Sequence, residues 1–148
     1  MKQFIFNTNN NWSGFMTRLT AGLILFPHGA QKMLGIFGGY GFSGTMGYFT
    51  DVLHLPWIIG FLVIFIEFAG AIALILGFAS RIWAASTIVL MIGIILSSHL
   101  DNGFFMNWFG NQKGEGFEYH LLMIGLCTAI LVSGSGKFSL DRKLSVNR

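Results

Sequence analysis

The sequence predicts an all-α membrane protein: a four-transmembrane-helix, up-down bundle with two Gly- and aromatic-rich outer loops. Three observations predict it. Of 148 residues, 53% are hydrophobic and only 10% charged, whereas ordinary soluble domains carry about 25% charge. Four apolar runs each approach the ~20 residues that cross a hydrocarbon core of ~30 Å. The connections between them are one tight turn and two aromatic loops, and short connections make neighbouring helices antiparallel. No second domain or internal repeat is visible, so 1–148 reads as a single unit.

The first helix is expected over 14–34. Arg18, Pro27, His28 and Lys32 interrupt it, but 19–26 is strongly apolar. Without this span the termini would fall on opposite sides of the membrane. The stretch 1–13 is polar and Asn-rich, unlike a cleavable leader, so this helix is expected to act as an uncleaved anchor. The connection 35–56 has six glycines interleaved with Phe37, Tyr40, Phe42, Tyr48 and Phe49. The second helix is expected over 57–78. Its Ala69, Ala73 and Gly77 recur at every fourth position, a stripe that admits a close neighbour, inside the bundle or in a homo-oligomer. After a turn at 79–81, the third helix covers 82–100. The connection 101–116 is again aromatic and includes Trp108. The fourth helix covers 117–133. The two aromatic loops suit either a belt at the headgroup level or a lid over a cavity between the helices.

Lys2, Arg18, Arg81, Lys137, Arg142, Lys143 and Arg148 collect on one side, against Lys32 and Lys113 on the other. The richer side is cytoplasmic, which places both termini there. The net charge of +3 is explained by this topology, and nucleic acid is not an expected partner; the lipid bilayer is. Cys127 is the single cysteine, so intrachain disulfides and CxxC thiol exchange are excluded.

Glu67 lies in the middle of the second apolar run. A carboxyl there costs roughly 2.5–3.5 kcal/mol on insertion scales, and such groups face a bundle interior and find a partner. His28 and Lys32 are four apart and share a helix face, with Arg18 in the same broad sector. His28 should lie ~9 Å and Glu67 ~15 Å below the outer ends of their helices, a gap two side chains can bridge. A structural ion pair of Glu67 with Arg18, His28 or Lys32 is the plainer alternative. For Lys32, snorkelling to the outer headgroups ranks ahead of ligand contact. His99, Glu118 and His120 cluster at the outer ends of the last two helices. Glu118 and His120, two apart, point to nearly opposite sides. The expectation is an outward-opening polar pocket floored by Glu67. No HxxxH or ExxH spacing occurs within one helix, so haem or metal ranks behind an organic ligand and no metal ligands are assigned.

These pieces resemble the DoxX family of small bacterial membrane proteins. The resemblance rests on RLTAGLILFPHGAQK at 18–32, EFAGA at 67–71, LG at 76–77 with Arg81, GEGFEYHLL at 114–122 and GSGKFSLD at 134–141. It implies a four-helix inner-membrane protein with a role in respiratory or redox chemistry. Founding members are linked to a thiosulfate:quinone oxidoreductase. The family's polar positions map onto Arg18, His28, Lys32, Glu67 and Glu118. The expected function is a quinone-linked redox subunit. Glu67, His28 and Glu118 would do the proton chemistry. Arg18, His28, Lys32, His99, His120 and Trp108 would hold the cofactor. Without a flavin or nicotinamide fingerprint, such a subunit needs a redox partner protein. The alternative is a non-enzymatic membrane scaffold that docks a partner through its outer loops.

Overall fold

A computed structural model describes residues 6–146; Lys2 and Arg148 of the charge count lie outside them. Among the described residues every regular element is helical: α1 (Trp12–Leu34), α2 (Gly41–Gly47), α3 (Trp57–Leu76), α4 (Ser80–Asn102), α5 (Glu118–Ser133) and α6 (Leu140–Val146). The four long helices match the predicted runs to within two residues at each end.

Local chemistry sets the ends. Asn11 caps α1, its Oδ1 accepting from Gly14 N at 2.6 Å, and Gly35 terminates it in the left-handed region at φ 76°. Gly77 does the same for α3 at φ 68°. The third member of the small-residue stripe is therefore a cap rather than part of a helix face. The predicted loop 35–56 is partly helical: α2 continues into a π turn, Tyr48–Val52. Its Met46 and Phe49 pack on Ile64 of α3, with Phe42, Leu55 and Val63 around them. Glycine-rich composition hides this helix from propensity; burial of Met46 and Phe49 overrides it.

Packing runs α1 against α3 and α5, and α4 against α5 and α3. The central core is Ala21, Leu25, Ala71, Leu74, Ala84, Leu90, Met91, Met123, Cys127 and Ile130. Much of the apolar bulk points outward instead, with Leu23, Phe65, Val89, Leu96, Leu122 and Val132 all exposed. Trp57–Leu76 and Ser80–Asn102 are long and apolar enough to cross a membrane, and only 39% and 22% of the most apolar 18-residue part of each is buried in protein. The core helix of a soluble domain would show the opposite, because exposed apolar faces of this extent need an apolar surround.

On α1 the buried positions Gly14, Arg18, Ala21, Gly22, Leu25 and Gly29 form one stripe at helical spacing. Two glycines of that stripe set the α1–α3 approach. A Cβ at Gly22 would meet the Ala71 carbonyl at 3.0 Å, and one at Gly29 would meet the Glu67 backbone at 2.5 Å. Backbone cannot yield as a flexible side chain can. Gly29→Val is therefore expected to cost about 1–3 kcal/mol through overpacking, read as a lower melting temperature in detergent. An unchanged melting temperature would mean that the two helices part freely here.

Candidate functional site: a polar cluster toward the loop end

Glu67 sits on a π turn, Ile66–Gly70, inside α3, and His99 on another, Ile95–His99, inside α4. Such turns interrupt regular helices and recur at functional sites. Glu67 is 3% exposed. Lys32 Nζ donates to its Oε2 at 2.6 Å, with side-chain exposures of 26% and 5% for the Lys and Glu. Of the three cations the sequence offers, Lys32 is thus the one that meets Glu67. His28 lies at the exposed edge of the α1 stripe, where the charges of both Lys32 and Glu67 act on it.

Rings continue the cluster. His28 packs against Tyr119 with centroids 5.7 Å apart. Tyr119 meets His120 edge-on at 5.4 Å, and His120 meets His99 at 4.5 Å. His99 Nδ1 lies 2.6 Å from the Glu115 carbonyl. A carbonyl only accepts, so Nδ1 carries the proton and a neutral ring keeps its lone pair on Nε2. Tyr119 Oη and His120 Nδ1 are both buried without a protein hydrogen-bond partner among the described residues. The cluster therefore joins His28, Lys32, Glu67, His99 and His120, and adds Tyr119. Its signal in the sequence was a hydroxyl-bearing ring between Glu118 and His120 in a chain with 16 Phe and 3 Tyr.

The other predicted site residues go elsewhere. Glu118 Oε2 accepts from Met106 N at 3.3 Å, and Glu115 Oε2 from Asn107 N at 2.7 Å. Glu118 ties the loop 103–117 to the start of α5, and Glu115 ties that loop to itself. Trp108 and Phe109, 81% and 90% exposed, form the tip of that loop. Arg18, 14 residues before Lys32 and ~21 Å along the helix, is fully buried toward the opposite end. Its Nε donates to Ser135 O, its Nη1 to Leu74 O and Ile75 O, and its Nη2 to Lys137 O and Phe138 O, all within 3.0 Å. All five guanidinium hydrogens are used, so Arg18 has none left for a ligand. Asp141, which sequence reasoning passed over, completes that end. Its carboxylate accepts from Ala79 N at 2.6 Å and Ser80 N at 3.0 Å, and from the Ser135 hydroxyl.

Fold and site together define a small helical membrane protein with a half-buried ion pair between two of its helices. The chain belongs to the DoxX family, whose profile matches residues 14–100. The match takes in Arg18, His28, Lys32, Glu67 and His99 and stops before the motifs at 114–122 and 134–141. The chain is also similar to a Bacillus subtilis (strain 168) protein named "Putative oxidoreductase CatD", with 29% identity over 126 residues, 85% of this chain and 82% of the relative. No solved structure matches it.

Proposed function

We propose that this chain is a quinone-linked subunit of a membrane oxidoreductase. It spans a bacterial inner membrane four times with both termini in the cytoplasm. The single observation that carries the reading is the Lys32–Glu67 pair at 2.6 Å, set among rings with unpartnered polar atoms. Family membership and the oxidoreductase name of a relative support it.

A quinone, when bound, supplies reversible two-electron, two-proton chemistry. This chain's residues would do the rest. His28 and Lys32 would donate hydrogen bonds to the quinone's carbonyl oxygens. Glu67, held by Lys32, accepts and returns a proton at Oε2. The exposed apolar faces of α3 and α4 leave the isoprenoid tail in lipid. Electrons come from a partner protein.

The test is decylubiquinone binding to detergent-purified protein. Wild type is expected to bind stoichiometrically. Glu67→Gln or His28→Ala is expected to weaken binding about tenfold or more, as for a lost hydrogen bond to a charged or polar partner, with helical circular dichroism retained. A wild type that binds no quinone, or variants that bind as wild type does, removes the reading.

The exposed Trp108 and Phe109 tip favours a second reading, a scaffold that docks a partner on the outer side. Deleting 102–111 would then lose a co-purifying protein while the polar substitutions leave it bound.

A further inference from the structure

Tyr119 sits in the first turn of α5 with His28 on one side and His120 on the other. The His120 ring meets it edge-on, at 81°. His28, which Tyr119 touches, shares a face of α1 with Lys32, the partner of Glu67. Oη is buried and has no protein partner among the described residues. Buried polar atoms are nearly always paired, and one left unpaired carries its full desolvation penalty. Ser80 and Thr87 hydroxyls also lack a partner, but a helical Ser or Thr can turn its short side chain to its own helix's carbonyls. A tyrosine hydroxyl, held a ring's length from its backbone, has no such recourse. A Phe would fill the same space without the penalty, and the chain uses Phe 16 times against 3 Tyr. The hydroxyl therefore needs a partner that the described residues do not provide.

We infer that Tyr119 is a ligand-binding residue that donates its phenolic hydrogen to a carbonyl oxygen of the quinone, beside the Lys32–Glu67 pair. The inference rests on the quinone reading and adds a residue that decides between ligands. A site built to bond a ligand oxygen discriminates strongly against an analogue that lacks it, because the site's own polar group is then stranded.

Tyr119→Phe separates this role from a structural one by sign. If the hydroxyl serves the ligand, the quinone-free variant loses an unpaired buried group, and its melting temperature equals or exceeds that of wild type. Its decylubiquinone Kd rises about tenfold, the size of one hydrogen bond of this kind. The infrared stretch of a bound carbonyl moves to higher frequency as it loses its donor. A lower melting temperature with unchanged Kd would assign the hydroxyl to a structural water and overturn the inference. So would an unchanged Kd and carbonyl stretch at any melting temperature. In both cases wild type still binds quinone and the functional reading survives; a wild type that binds none removes both.

Discussion

Arg18→Lys is expected to destabilise the protein by roughly 3–5 kcal/mol, the range seen when a buried charged network loses a partner. The substitution keeps the charge, which makes it informative. Arg18 is 0% exposed and its five N–H groups bond five carbonyls: Leu74 and Ile75 at the end of α3, and Ser135, Lys137 and Phe138 in the segment after α5. Lysine has three hydrogens on one point charge and cannot span a planar fork of five acceptors. At least two carbonyls would be left buried and unpaired, each at ~1–3 kcal/mol. Arg18 also ties α1 to two other parts of the chain, so the loss is not confined to one helix. Melting in detergent is the measurement. A variant that melts within a degree or two of wild type would show that charge rather than the fork holds this end together.

Arg18 also marks how far the sequence could be read. The helices were legible because each is a sustained apolar run that ends at a glycine or a polar break; Gly35 and Gly77 both take up positive φ there. The residues of the polar stripe were legible too, since Arg18, His28 and Lys32 fall in one sector of α1 by spacing. Their roles were not. Spacing along one helix says nothing about what stands opposite, and Arg18 meets carbonyls from a segment more than 110 residues away. Lys32 rather than His28 reaches Glu67 because Gly29 lets α3 come close, and a flexible stem of four methylenes can cover the remaining distance. The helix Gly41–Gly47 was hidden by glycine content, since its stability comes from contacts with α1 and α3. Tyr119 was hidden among many aromatic residues until its hydroxyl proved to be buried and unpaired.

The Lys32–Glu67 pair should respond asymmetrically when cut. Lys32→Met strands a carboxylate that is 3% exposed, whereas Glu67→Gln strands an ammonium whose side chain is 26% exposed. A lysine can swing its head toward the interface and leave its stem on apolar surface. Glu67, on a π turn in the middle of α3, cannot move to water. Lys32→Met is therefore expected to cost roughly 3–5 kcal/mol, the cost of breaking a buried pair from its less accessible side. Glu67→Gln should cost no more than about 1 kcal/mol, close to the value of a pair that keeps access to solvent. The double variant Lys32→Met with Glu67→Met should recover most of the loss, because replacing both members of a buried pair by packed apolar groups is often neutral or stabilising. The melting temperatures would then fall in the order Lys32→Met lowest, double variant and Glu67→Gln near wild type. The double variant should nonetheless bind quinone far more weakly than wild type, having lost the Lys32 donor and the Glu67 proton acceptor and kept only the donors His28 and Tyr119. A stable double variant that binds quinone as tightly as wild type would make the pair structural and move the site to the histidines. A double variant as unstable as Lys32→Met would show that the pair specifies how α1 and α3 meet, beyond neutralising a stranded charge.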